Sequence, residues 1–263
     1  MTQNRLSAAA EIAVLTGKEL MALYHEGNYA GEMKSDHTLV TRADRQADRL
    51  IQEYIRSRFP GEGILSEENS TVYPDTEHAW VIDPLDGTVN FSQGLHYWGV
   101  SIAHLKDGNP QTGALYFPMI DELYTAEQGT GAFLNNKPLS IKKERGEELF
   151  PLFVHCSRMH KNYQVKIRFK KRSLGAAAYH LCLVARNTAA LALESTPKIW
   201  DYAAGWLIIK EAGGAVRSLG DEQPFPAQPG VDYADKPYPI IAARSTADLT
   251  RAEAGITALQ GID

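Results

Sequence analysis

The sequence predicts a mixed α/β fold (α+β in its first part) built as two lobes, and three observations support this. The first half opens on two helical patterns, then changes to alternation punctuated by glycine turns. From about Glu144 strand-like and helical runs alternate, which implies some parallel pairing. The 263 residues, 44% hydrophobic and 22% charged, suffice to bury a core in both parts. An N-terminal lobe is therefore placed at 1–143 and a C-terminal lobe at 144–263.

Between about Asn4 and Tyr24, Leu6, Ile12, Ala13, Leu20 and Leu23 recur at near-helical intervals. GNYAGEMKSDH reads as a polar, glycine-containing loop. In the next helix Ala43, Ala47, Leu50, Ile51, Tyr54, Ile55 and Phe59 form one stripe, ended by Pro60 and Gly61. Thr41 followed by Asp44 resembles a capping box at its start. GILSEE is short and extended, AWVID is a buried strand, and YWGVSIAHLKDGNPQTGALYFP forms a hairpin turning at DGNP. ELYTAEQGTGAFLNNKPLSI continues as strands joined by Gly and Asn-Asn turns.

In the second part PLFVHCS is a strand and KIRFKKRSLG is strand-like and basic. AAAYHLCLVARNTAALALE is helical and then extended. IWDYAAGWLIIKEAGGAVRS is a helix ending at Gly213 and Gly214, followed by a strand.

The net charge of −5 argues against a dedicated nucleic-acid binder. No apolar run approaches the roughly 18 residues of a membrane span. Glu11 cuts the N-terminal apolar stretch before it becomes a signal-peptide core, so a cytoplasmic location is expected. Cys156 and Cys182 make neither a disulfide framework nor a zinc pattern. Cys182, inside YHLCLVA, reads as a buried helix thiol.

The stretch that carries chemistry is WVIDPLDGTVNF. A buried strand stops at Asp83, and Pro84 fixes the backbone so that Asp86 turns back toward the same point, with the Leu85 carbonyl between them. Two carboxylates held together repel, so the turn needs a positive charge that the stretch lacks. Hard oxygen ligands with no His or Cys nearby select Mg²⁺, Mn²⁺ or Ca²⁺ over zinc. Gly87 and Thr88 offer backbone N–H groups to an anion if they begin a helical turn. Metal beside anion pocket suggests phosphate. The competing reading is a surface Asx turn, which would hardly need the buried strand and the second aspartate.

Other acids have two readings each. Glu67 and Glu68 end a short extended run, where neighbours point to opposite faces, so only one can face the turn. Asp201 starts a helix and Asp44 sits in a capping box, so either can be a capping residue alone.

LVTRAD, LSEEN, WVIDPLDGTVNF and WDYAAGWLIIKEAGG, in this order, resemble the successive signatures of the inositol monophosphatase family. YFPMIDELYTAEQGTGAFLN and RSLGAAAYHLCLVA resemble its intervening segments, so the resemblance runs from about Leu6 to Ser218. It implies a layered α-β-α-β-α sandwich, a lithium-sensitive phosphatase using two or three Mg²⁺ ions, and a homodimer. It makes Glu67, Asp83 and the Leu85 carbonyl ligands of one ion, and Asp83, Asp86 and Asp201 ligands of a second, with Glu67 sharing a third. Thr88, paired with Asp44, would orient and deprotonate the attacking water, with Glu67 beside them among the catalytic residues. Gly87 and Thr88 would bind phosphate. Glu194 and the backbone of Gly175, Ala176 and Ala177 would meet the substrate, as would Asp86 and Asp201.

The implied reaction is hydrolysis of a small phosphomonoester, inositol 1-phosphate or a similar polyol phosphate first. Fructose 1,6-bisphosphate, NADP or another nucleotide, and histidinol phosphate are alternatives within the class. An RNA- or protein-binding regulator on the same scaffold is the alternative outside it. The chain departs from the family at Ala190, often acidic there, and at His96, commonly proline, and PLFVHCSRMHKNYQVKIRFKKRSLG is short. All three departures fall on the substrate side. Lys166, Arg168, Lys170, Lys171 and Arg172 read either as a solvated strand face with Ile167 and Phe169 inward, or as a cationic patch for a second phosphate.

Overall fold

A computed structural model describes residues 4–27, 31–33, 39–141 and 150–259. The lobe boundary at 143/144 lies outside the described residues.

Helix α1 (Arg5–His25) is capped by Asn4, whose side chain accepts from the Ser7 N–H. It buries Ala9, Ile12, Ala13 and Leu20. Strands β1 (Gly31–Met33) and β2 (Leu39–Thr41) pair antiparallel. The sequence suggested only a loop around β1. Its three residues are all exposed and are held by backbone pairing, so they leave no hydrophobic alternation to read. Helix α2 (Arg42–Arg58) begins at the capping box, with Thr41 and Asp44 bonding each other's backbone N–H.

The first large sheet has seven strands in chain order: β3 (Gly63–Ser66), β4 (His78–Asp86), β5 (Gly99–Lys106), β6 (Asn109–Phe117), β7 (Glu122–Glu127), β8 (Gly131–Leu134) and β9 (Lys137–Leu139). Only β3 and β4 are parallel. The short helix α3 (Thr88–Ser92) follows β4. The β5–β6 hairpin turns at Asp107 and Gly108, both at positive φ, as Asp-Gly turns require.

The remainder comprises β10 (Leu152–His155), α4 (Met159–Asn162), β11 (Tyr163–Val165), β12 (Lys170–Arg172), α5 (Ala177–Ala185), β13 (Leu191–Glu194), α6 (Ile199–Glu211), β14 (Ala215–Ser218), β15 (Ile240–Ala243), α7 (Thr246–Glu253) and β16 (Ile256–Ala258). Five strands form the second sheet in the order β12-β10-β13-β15-β14, with β10 parallel to both neighbours. Strand β11 pairs instead with β16.

Side-chain alternation assigns the layers. Trp80 and Ile82 of β4 pack with Ile102 and Ala114 against α1 and α2. Ala79 and Val81 point the other way and join Leu115, Leu181 and Ile208, which puts α5 and α6 on that face. The same two helices cover Val154, Ala192, Ile240 and Ala242 of the second sheet. Its far face, with Phe153, Leu191 and Ile241, is closed by Leu249 and Ala252 of α7. The result is the α-β-α-β-α sandwich that the resemblance implied. Among the described residues no helix is long and apolar enough to cross a membrane.

Helix α6 lies close on the first sheet because β6 offers Gly113 beneath it. A Cβ there would stand 3.0 Å from the Ala204 Cα, tighter than ordinary packing. Ser101 of β5 adds a hydrogen bond from its hydroxyl to the Trp200 carbonyl, 3.0 Å. Ser101 is also the ladder partner of Asp83, so the start of α6 is tied beside the end of β4.

Candidate active site

Asp83 and Asp86 are three positions apart, and on an unbroken strand they would face opposite sides. Strand β4 is not unbroken there. Asp83 pairs with Ser101 and Asp86 with Gly99, so β4 carries one extra residue between them. This bulge, built on Pro84 and Leu85, returns Asp86 to the face of Asp83. The Leu85 N–H donates to Asp83 Oδ1 at 3.0 Å and stiffens the turn.

Gly87 then adopts φ 88°, and a Cβ on it would lie 2.8 Å from the Tyr97 carbonyl oxygen. Only glycine fits both demands. Helix α3 starts immediately after, at Thr88. The Thr88 hydroxyl lies 2.9 Å from Asp44 Oδ1 and 3.1 Å from the Leu85 carbonyl oxygen. The other oxygen of Asp44 accepts from the Thr41 N–H at 2.7 Å. Asp44 therefore caps α2 and holds Thr88 at once.

Asp86 accepts from the N–H groups of Ala177 and Ala178, each at 3.0 Å, which docks the start of α5 onto the end of β4. Asp201, in the first turn of α6, accepts from the Lys198 N–H at 2.8 Å. Its capping role and its place beside the aspartates coexist.

Glu67, Asp83, Leu85, Asp86, Gly87, Thr88, Gly175, Ala176, Ala177, Glu194 and Asp201 line one cavity. Asp44 reaches it through Thr88. Sequence reasoning did not anticipate Cys156, Ser157, Arg158, His180, Thr196 and Pro197, which line it too. His180 was readable in principle, one helical turn after Ala177 on the same face. Ser157 and Arg158 lie where the family resemblance thins, so no motif pointed to them. None of Lys166, Arg168, Lys170, Lys171 and Arg172 lines the cavity. All five are exposed, while Ile167 and Phe169 pack toward the second sheet.

The electrostatics are those of crowded acids. Burial pushes Asp83 well above the usual carboxylate range, and Glu67, Asp86 and Asp201 push it further. Burial raises Asp86 to about 7 against its two backbone donors. Asp201 rises to about 8, from burial and then the Asp86 charge. Burial also raises Asp44, opposed by its hydrogen bonds from Thr41 and Thr88. Arg158, exposed, is the one Arg or Lys side chain on the cavity wall among the described residues. Such a wall fits divalent cations, which would offset the repulsion that burial intensifies. His180 does not soften the donor set. Its two ring nitrogens meet Glu194 Oε1 at 2.6 Å and the Leu174 N–H at 3.0 Å, leaving oxygens to hold a cation.

The model of the inositol monophosphatase family matches residues 1–254. The chain is 34% identical over 232 residues to an inositol-1-monophosphatase of Mesorhizobium japonicum, covering 83% of this chain and 86% of that one. It is 32% identical over 226 residues to a fructose-1,6-bisphosphatase/inositol-1-monophosphatase of Aquifex aeolicus, covering 81% and 85%. Among solved structures, the extragenic suppressor protein suhB of Bartonella henselae superposes with a TM-score of 0.80 at 29% identity, covering 97% of this chain and 98% of that chain.

Proposed function

The chain belongs to the inositol monophosphatase family, phosphatases that hydrolyse phosphomonoesters, and within it we propose Mg²⁺-dependent hydrolysis of a small polyol phosphate, inositol 1-phosphate first. The observation that carries this reading is the bulge in β4, which sets Asp83 and Asp86 on one face opposite Asp201. Glu67, Asp83 and the Leu85 carbonyl would hold one ion, Asp83, Asp86 and Asp201 a second, and Glu67 would share a third. Bound Mg²⁺ supplies Lewis acidity that makes water a usable nucleophile near neutral pH and offsets charge on the departing alkoxide.

The chain's own groups do the positioning. Thr88 gives its proton to Asp44 or to the Leu85 carbonyl, so its oxygen keeps a lone pair for a proton from the attacking water. Asp44, with its affinity for protons raised by burial, suits the role of final acceptor. Glu67 stands on the same wall among the catalytic groups. The N–H groups of Gly87 and Thr88, at the start of α3, receive the phosphoryl oxygens. Gly175, Ala176, Ala177 and Glu194, with Asp86 and Asp201, face the alcohol.

A second reading rests on Arg158. Its guanidinium on the cavity wall could take the second phosphate of fructose 1,6-bisphosphate, a role the basic run of residues 166–172 is not placed to fill. A cytoplasmic location agrees with two free cysteines, and the homodimer and lithium sensitivity rest on family resemblance.

Phosphate release over a panel of inositol 1-phosphate, fructose 1,6-bisphosphate, NADP and histidinol phosphate, with Mg²⁺ and with or without Li⁺, tests the reading. Turnover of inositol 1-phosphate above the others supports it. Preference for the bisphosphate, lost selectively in Arg158→Ala, reverses the order. Absence of turnover across the panel, with salt-sensitive RNA binding, favours the regulator.

A further inference from the structure

His78 opens strand β4, five residues before Asp83, or about 17 Å of extended chain from the candidate active site. There Glu62, His78 and His104 bring one carboxylate oxygen and two imidazole nitrogens within 4.8 Å of one another. Nothing in the phosphatase reading uses these three side chains. We propose that they form a separate site for a tetrahedral transition-metal ion, Zn²⁺ foremost, which pins the turn between α2 and β3 to strands β4 and β5.

The distances suit such an ion. His78 Nδ1 and His104 Nε2 are 3.1 Å apart. Two nitrogens bound at about 2.05 Å on a tetrahedral centre stand roughly 3.3 Å apart. His104 Nε2 lies 3.9 Å from Glu62 Oε2 and the three ligand atoms all lie within 4.8 Å of one another, so the carboxylate must advance by roughly 0.5 to 1.5 Å to close the third bond. Glu62 is already aimed. Arg5 grips its Oε1 at 3.0 and 2.6 Å, and the Trp80 indole N–H donates to its Oε2 at 2.7 Å, leaving that oxygen a second lone pair.

The proton inventory points the same way. In the metal-free pair one histidine must donate to the other. If His78 Nδ1 carries the hydrogen, its Nε2 lone pair faces the Glu77 carboxylate at 3.8 Å, which is unfavourable. If His104 Nε2 carries it, the His104 Nδ1 lone pair is stranded: that atom is buried without a partner in a side chain 2% exposed. A second proton on the pair would remove the conflict, and a metal ion between the rings removes it equally. Both inner nitrogens become ligands, His78 Nε2–H turns to Glu77, and His104 Nδ1–H turns toward Thr112. Thr112 sits opposite His104 on β6, and its hydroxyl is also buried and unpartnered. Metal-bound histidines usually have such a partner on the outer nitrogen.

Access exists as well. His78 is a quarter exposed and shares an open cleft with His104, Arg5, Lys106, Gln111 and Glu127, which leaves room for a water as fourth ligand. Two imidazoles and one carboxylate prefer zinc over magnesium, whereas the oxygen wall of the other cavity prefers magnesium. One chain thus presents two donor sets of opposite preference.

The test uses the full chain with Asp83→Asn and Asp201→Asn, which weakens cation binding in the active-site cavity, in buffer containing Mg²⁺. Calorimetric titration with Zn²⁺ should show one equivalent bound, and a hundredfold excess over Kd should raise the melting midpoint by roughly 5 °C or more. Adding His78→Ala should abolish both effects while leaving the circular dichroism spectrum unchanged. Zinc uptake that survives His78→Ala, or no uptake at all, overturns the proposal. X-ray absorption on the zinc-loaded chain gives an independent reading that needs no further variant. Two imidazoles in the coordination shell support the site, and an all-oxygen shell sinks it.

Discussion

His180 Nδ1 stands 2.6 Å from Glu194 Oε1, and both side chains are almost wholly buried in the wall of the candidate active site. The proton on this bond can be assigned. His180 Nε2 receives the Leu174 N–H at 3.0 Å, so Nε2 is the lone pair and Nδ1–H donates to Glu194. Glu194, the side chain we propose for substrate contact, thus has one oxygen already held and its orientation set.

His180→Ala should therefore act on substrate binding. A charge-assisted hydrogen bond to a buried carboxylate is worth about 1.5–3 kcal/mol, so KM for polyol phosphates should rise about tenfold or more while kcat changes by roughly threefold or less. Steady-state kinetics decide it. A fall in kcat at constant KM would place His180 in the chemistry instead.

Asp83→Asn and Asp201→Asn should each lower Mg²⁺-dependent turnover by about a thousandfold or more, with an unchanged circular dichroism spectrum. Without metal, Asp201→Asn should melt above the metal-free wild type at about pH 9, where Asp201, raised to about 8, is ionised and buried among other acids. Substantial Mg²⁺-dependent activity in both would end the assignment of these residues.

The raised carboxylates set a pH dependence. Asp86 at about 7 and Asp201 at about 8 lie above their unfolded value of 3.8, so the folded metal-free chain binds more protons than the unfolded one in between. Their contribution is complete below pH 3.8 and is lost as pH rises through 7 to 8. In a chelator the melting midpoint should fall between about pH 6.5 and 8.5, and Mg²⁺ should raise it more at the upper end. Calorimetric scans across that range, with and without Mg²⁺, check the sign. A Mg²⁺ effect that shrinks as pH rises would contradict it.

Thr88→Ala should cost kcat about a hundredfold or more, whereas Thr88→Ser, which keeps the hydroxyl, should stay within about tenfold of the wild type. Asp44→Ala should lose rate and also about 1 kcal/mol of stability, since Asp44 completes the cap of α2. Kinetics paired with denaturant titration separate the two losses. Equal rates in Thr88→Ala and Thr88→Ser would show that the hydroxyl carries no proton.

Several features were legible because they are local. The stripe from Ala43 to Phe59, the Thr41–Asp44 cap and the Asp107–Gly108 turn each depend on residues within a few positions, as helix periodicity, capping and turn chemistry do. Strand β1 escaped because its three exposed residues answer only to the backbone of β2.

The sequence by itself determined which side chains exist at the end of β4 and that two carboxylates there need a counter-charge. It also carried the helical and strand periods from which the layers grow. Only the tertiary structure decided which face those carboxylates share, through one extra residue against β5. It likewise decided that His180 meets Glu194 across α5 and β13, and that Glu62, His78 and His104 converge from three places in the chain. The physical reason is common to all three. Spacing along a chain specifies neighbours within a turn or a strand, whereas partners from different elements are chosen by packing, which has no signature in any single segment.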